Sequence, residues 1–324
     1  MFKKLIEVLR ENPRKIVFTE STDPRILDAT EKLLADELMG VILVGNPEEV
    51  KAAAEAGGFK VEKAEVIDPA TYEGMDAMVE EMVTLRKGKM TAEECRAALG
   101  KSNYFGTMLV KIGVADALLG GATYSTADTV RPALQIVKTK PGSKIVSSCI
   151  ILNRTNADGT SENYAMGDCA INITPNADEL AEIALETAAT AKAFGIDPKV
   201  AMLSYSTLGS GKGDSVTLVR EATAKAKELA PELALDGELQ FDAAFSPVVA
   251  ATKCKDSKVA GQANTFIFPD INAANIGYKI AQRLGGFDAY GPILQGMNAP
   301  INDLSRGCNA KEVYQMAIIT AALK

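Results

Sequence analysis

The sequence predicts an α/β fold, two doubly wound domains with a cleft between them, and three observations carry the prediction. The apolar runs KIVFTE (15–20) and GVILVG (40–45) flank PRILDATEKLLADEL (24–38), whose apolar residues recur at helical spacing. Strand, helix and strand in that order form a βαβ unit, which implies parallel strands. A second block beginning near residue 143 opens as a hairpin and then returns to the same alternation. With 324 residues, 47% of them apolar, the chain can bury a large core and is long enough for about two domains.

In chain order, MFKKLIEVLREN (1–12) reads as an amphipathic helix ahead of the first strand. A helix is expected from about Gly74 to Arg86, and another opens at Thr91, where TAEE forms a capping box. ALLGG (117–121) then reads as a strand before TYSTADTVRP. From 143 the texture changes: 143–154 and 160–172 flank an Asn-Ala-Asp-Gly turn at 156–159 and predict an antiparallel hairpin. ADELAEIALETAATAKAF is a helix closed by Gly195, followed by the strand KVAMLSYS, a helix after Asp214, the strand TFIFPD and the helix AANIGYKIAQRLGG. The domains expected are 1–142 plus 296–324, and 143–295, with the last helix returning to the first and the second serving dimerisation.

Composition excludes several functions. The chain has no histidine, which removes Ser-His-Asp triads, Cys-His pairs and HExxH zinc chemistry. Five scattered cysteines without CxxC spacing argue against a disulfide framework and a zinc site, and no calcium loop is present, so no metal is expected. The formal charge of −7 repels nucleic acid and anionic membranes, so neither is an expected partner. No apolar run reaches the roughly 20 residues of a membrane span, and no secretion signal is evident, so a cytoplasmic protein is expected.

Chemistry must therefore run on carboxylates, Arg, Lys and hydroxyls, and the stretch 291–312 gathers them. Ser305, Arg306 and Glu312 surround a helix start where Asn309 is the N-cap, Glu312 completes a capping box, and VYQMAIITAAL runs at helical spacing. An anion there meets free N–H groups and the helix dipole, with Arg306 available as a bidentate fork; Asn309 and Glu312 also read simply as a cap. Arg131 draws notice for a different reason. A helix beginning near Asp128 or Thr129 puts this cation in the first turn, which the dipole disfavours. The preceding GGATYST, with Ser125 and Thr126, offers hydroxyls and backbone donors as a phosphate nest. The loop LGSGKGDS (208–215) is no Walker loop and reads either as a flexible loop or as a phosphate contact. Arg86, in LRKGKM, looks on its own like an ordinary helix C-terminus.

Together LRKGKMT (85–91), LGGATYSTADTVRPALQ (119–135), LQFDAAFSP (239–247), FIFPDINAANIGYKIAQRLGG (266–286) and GPILQGMNAPINDLSRGC (291–308) resemble the phosphate acetyltransferase family, in the phosphate acetyl/butyryltransferase group. The resemblance spans essentially the whole chain. It implies reversible acetyl transfer between coenzyme A and phosphate on a fold similar to isocitrate and isopropylmalate dehydrogenases. It further implies a homodimer, with coenzyme A and acetyl phosphate as substrates and no bound cofactor. By the same resemblance Arg86 and Arg131 hold acetyl phosphate, Arg306 stabilises transition-state charge, and Ser305 hydrogen-bonds the coenzyme A thiol. The family's proposed base, commonly Asp, falls at Glu312 here, a longer carboxylate that reads as base, cap or both. The alternatives are a phosphate butyryltransferase and a noncatalytic acetyl-CoA-sensing domain, the latter opposed by the intact Ser305, Arg306 and Glu312.

Overall fold

The computed structural model describes residues 2–324 and divides into two compact units, Phe2–Pro141 with Met297–Lys324, and Gly142–Gly296. The first opens with α1 (Phe2–Glu11), β1 (Lys15–Phe18), α2 (Pro24–Ala35), β2 (Gly40–Val44), α3 (Pro47–Gly57) and β3 (Glu65–Ile67). It continues through α4 (Met75–Arg86), α5 (Ala92–Leu99), α6 (Ser102–Lys111), β4 (Ala117–Gly120) and α7 (Thr126–Pro132), which runs into a π-helical turn at Ala133–Val137. Local chemistry sets these boundaries. Asp23 caps α2 with Pro24 at its first position, Asn46 and Pro47 do the same for α3, and Thr91 and Glu94 close a capping box on α5.

The second unit holds β5 (Ser147–Thr155), β6 (Ser161–Gly167), α8 (Ala177–Ala193), β7 (Val200–Leu203), α9 (Asp214–Leu229) and β8 (Leu235–Leu239). It ends with α10 (Phe241–Phe245), α11 (Pro247–Lys253), β9 (Thr265–Ile267), α12 (Ile271–Arg283) and β10 (Asp288–Gln295). Its sheet order is β10-β5-β6-β9-β7-β8, with the β5–β6 hairpin and the β10–β5 pair antiparallel and the rest parallel. The buried Glu238 carboxylate accepts from the Ser206 hydroxyl at 2.8 Å and from Gly209 N–H at 2.7 Å, while Gly211 N–H goes to Ser206 Oγ at 2.8 Å. Several donors of the glycine-rich loop are thus committed internally.

The chain then returns to the first unit with β11 (Ile301–Asp303) and α13 (Ala310–Ala322). Its five parallel strands lie in the order β11-β4-β1-β2-β3. Residues Ile16–Phe18, Val41–Val44 and all of β4 are buried, the near-continuous apolar texture of strands covered on both faces. From β1 the chain moves outward to β2 and β3, then crosses back to β4 on the other side. The strand order therefore reverses between β1 and β4, and the loops leaving their carboxyl ends open a crevice of the kind that binds ligands in such sheets.

Eight elements escape the sequence reading: α3, β3, α6, β8, α10, α11, β10 and β11. One reading is corrected. The helix carrying Arg131 starts at Thr126, not near Asp128 or Thr129, and continues into the π-helical turn, so Arg131 lies past the first turn, clear of the positive end of the dipole.

Candidate active site

All seven residues singled out lie in the unit containing the five-stranded parallel sheet. Ser305 and Arg306 follow directly on β11, in a turn closed by Cys308 N–H to Ser305 C=O at 2.9 Å. Both are exposed. Gly307 N–H donates to Ser305 Oγ at 3.3 Å, leaving the hydroxyl proton of Ser305 to donate elsewhere. The Arg306 guanidinium has no hydrogen bond or ion pair among the described residues. Glu312 lies one turn into α13 and forms the expected capping box, its Oε2 accepting Asn309 N–H at 3.0 Å while its own N–H goes to Asn309 Oδ1 at 3.0 Å. The other carboxylate oxygen accepts no bond among the described residues, so the cap occupies half of the group.

Arg131 is 60% exposed and among the described residues its guanidinium meets only Asp128, at 3.9 Å, the outer limit of an ion pair. Ser125 caps no backbone donor; its hydroxyl goes to Asp128 Oδ2 at 2.7 Å, which holds that carboxyl below the usual range. Thr126 Oγ1 donates to Asp303 Oδ2 at 2.5 Å. Arg86 ends α4 with a half-buried side chain whose Nε is buried without a hydrogen-bond partner. The structure thus groups Ser305, Arg306 and Glu312 on one turn and helix start, and Ser125, Thr126 and Arg131 on α7 and its cap. Thr126 and Asp303 join these two sets, whereas Arg86 makes no bond to either.

Behind these residues stands machinery the sequence reading missed. Asp303 is buried at the end of β11 and takes hydroxyl bonds from Thr126 and Thr129, each at 2.5 Å; burial raises its pKa, and the two hydroxyls partly offset that. Glu20, following β1, accepts Gly121 N–H at 2.9 Å and Thr123 N–H at 3.1 Å on one oxygen and the Thr19 hydroxyl at 2.8 Å on the other. Burial raises its pKa as well. The nest expected in GGATYST is therefore not open: Glu20 already sits on its Gly121 and Thr123 donors. Thr19 continues to the Tyr124 hydroxyl at 2.8 Å.

Two glycines make this packing possible. A Cβ at Gly120 would fall 2.1 Å from the Tyr124 hydroxyl, and one at Gly121, where φ is +99°, would fall 2.2 Å from Asp303 Oδ1.

Arg25 links all three loops. Its guanidinium grips both Asp23 carboxylate oxygens (2.9 and 2.7 Å) and donates to the carbonyls of Ala122 (2.9 Å), Arg306 (2.8 Å) and Cys308 (3.1 Å). One signal for it was present in the sequence: Arg25 stands beside a helix-starting proline, at the positive end of α2, where a cation is out of place. Asp303 left no such trace, because β11 is Ile-Asn-Asp, two of its three residues polar.

A parallel α/β sheet whose switch-point loops present an unpaired arginine, a hydroxyl and a carboxylate beside a helix N-terminus defines an anion-handling enzyme. Among the described residues no group of three or more Cys, Asp or Glu side chains is placed to hold a metal, and no helix is long and apolar enough to cross a membrane. The family model described as phosphate acetyl/butaryl transferase matches residues 1–321, and the chain belongs to that family. It is 54% identical to a phosphate acetyltransferase of Bacillus subtilis over 322 residues, covering 99% of this chain and 98% of the other. A phosphotransacetylase structure from Streptococcus pyogenes superposes with a TM-score of 0.96 at 56% identity, covering 99% of this chain and 97% of that one. The EutD phosphotransacetylase of Staphylococcus aureus gives 0.91 at 48%, covering 99% and 98%.

Proposed function

We propose that the protein transfers an acetyl group reversibly between coenzyme A and inorganic phosphate, by direct attack of the coenzyme A thiolate on acetyl phosphate. The observation that carries this reading is the exposed Ser305–Arg306 turn at the carboxyl edge of a parallel sheet, its guanidinium unpaired, beside the capped start of α13. Glu312, through the carboxylate oxygen the cap leaves unused, removes the thiol proton, from a group of ordinary pKa about 8.5. The S–C bond forms as the carbonyl π pair moves to oxygen, and Arg306 stabilises the resulting charge. Collapse breaks the C–O bond to phosphate, which departs carrying the proton.

Ser305 donates its hydroxyl proton to the sulfur, because Gly307 N–H already occupies an acceptor position on its oxygen. Arg86 and Arg131 hold the phosphoryl group. Arg86 brings a buried, unpartnered Nε to that task and Arg131 a largely exposed guanidinium. Ser125 and Thr126 support Arg131 from the cap of α7, and their observed bonds to Asp128 and Asp303 favour a positioning role over direct substrate contact.

The protein acts as a homodimer through the second unit. The support is an apolar stripe at i, i+4 and i+8 on α12 and its C-cap, with Ile276, Ile280 and Leu284 exposed by 58, 53 and 84%. A cytoplasmic setting is supported by five buried, unpaired cysteines.

The test is acetyl phosphate formation from acetyl-CoA and phosphate by wild type and Arg306→Gln. Loss of about 10²-fold or more in kcat is expected, and near wild-type turnover would sink the assignment. Comparing acetyl-CoA with butyryl-CoA in the same assay reads the acyl preference, with acetyl expected to turn over faster.

A further inference from the structure

We propose that Arg25 is a positioning residue for the acetyl transfer: it fixes the Ser305–Cys308 turn, and with it Arg306, without touching substrate. The inference rests on the role assigned above to Arg306. A guanidinium has five N–H donors, and all five are taken up here, with Cys308 Sγ a further, longer contact at 3.7 Å. Nε and one Nη2 proton go to the two oxygens of Asp23, the other Nη2 proton goes to Ala122 C=O, and the Nη1 protons go to Arg306 C=O and Cys308 C=O. Asp23 also neutralises the charge, its carboxyl held below the usual range chiefly by that pairing. No donor remains for a phosphate. Arg306 presents the reverse, a free guanidinium whose own carbonyl is tied down by Arg25.

The three carbonyls belong to loops leaving β4 and β11, and Asp23 to the loop leaving β1, so one planar group sets the mutual placement of all three. Nothing else among the described side chains donates to the Arg306 or Cys308 carbonyls. A displacement near 1 Å at a catalytic group can cost about 10²-fold in rate. Lysine cannot replace this fork, because three donors on one nitrogen cannot reach acceptors spread around a plane.

The test is a double-mutant cycle in the phosphate-dependent assay. Arg25→Gln is expected to lower kcat by about 10²-fold while KM for phosphate changes by less than about threefold, and Arg25→Lys to lose the same order of rate. In an Arg306→Gln background, Arg25→Gln should cost no more than about threefold further, because the group it positions is gone. Wild-type kcat in Arg25→Gln, or the full loss persisting in the Arg306→Gln background, overturns the proposal. If Arg25→Gln does not fold, Arg25→Lys and Asp23→Asn carry the test. Asparagine keeps the cap of α2 but loosens the guanidinium, and wild-type kcat in both variants overturns the proposal equally. Full activity of Arg306→Gln alone would refute the site assignment instead, so the two failures are distinct.

Discussion

Glu312→Gln separates the two duties of the residue with the least change in shape. Gln at the third helical position can still reach back to Asn309 N–H, as Glu312 Oε2 does at 3.0 Å, so the capping box survives. What is lost structurally is the charge at the helix N-terminus, about 0.3–1 kcal/mol for an exposed group. The unfolding midpoint should therefore barely move. Catalytically the same change removes the carboxylate proposed to take the thiol proton, a loss of about 10²–10⁴-fold for a general base. Wild type and variant are compared by following thiol release from acetyl-CoA in phosphate at neutral pH, with thermal melts alongside. The expected result is a large fall in kcat and an almost unchanged melt. An unchanged kcat would refute the reasoning and leave Glu312 as a cap alone.

Gly121→Ala puts a Cβ 2.2 Å from Asp303 Oδ1 on a backbone with φ of +99°. Strain of about 1–3 kcal/mol plus the clash should lower the melting temperature by roughly 6–12 °C, and a shift under about 2 °C would contradict the packing described. Glu20→Gln keeps the acceptor for Gly121 and Thr123 N–H, and the Thr19–Tyr124 pair can reverse its donor, so the network survives without a buried charge. Because burial raises the folded pKa of Glu20 above its ordinary 4.5, wild type loses this contribution as pH rises through that raised value. Denaturant titrations should show the variant gaining on wild type above pH 4.5 until the raised folded value is passed, and a pH-independent difference would refute the shift. Ile280→Glu places a charge in the α12 stripe, and sedimentation should show a dimer for wild type and a monomer for the variant; identical sedimentation would remove that stripe from the interface.

Much of the fold was legible because its signals are local. The period of α2 and α8, the Asn156–Gly159 turn and the Asn309–Glu312 box can each be read within a window of a few residues. The missed elements lack such a signal. In α3 only Val50 and Ala54 are buried, so its evidence lay in its caps, Asn46, Pro47 and Gly58. In α6, Phe105–Val110 are buried without a break, which erases the polar face that periodicity needs. β3 has three residues and β8, LDGEL, is half polar. Ser305 and Arg306 could be picked out because their signal lies within their own turn. Glu20 and Asp303 could not, since their partners lie 101 and 177 residues away and meet only when the sheet forms, and Arg25 showed only as a misplaced cation, its partner Arg306 being 281 residues away.

The same contrast explains how a site without histidine divides its labour. Each charge that is fully satisfied within the protein holds a loop: Arg25 by five acceptors, Glu20 by two amides and a hydroxyl, and Asp303 by two hydroxyls. Each charge assigned to the chemistry keeps some capacity unspent: Arg306 all its donors, Arg86 its buried Nε, Glu312 one oxygen. A catalytic cation that also clamped a backbone would have to release that clamp to grip substrate, and the cost would fall on every turnover. In the proposed mechanism, placing the clamp on Arg25 frees Arg306 to meet the developing oxyanion with its turn already fixed, the preorganisation on which electrostatic stabilisation depends.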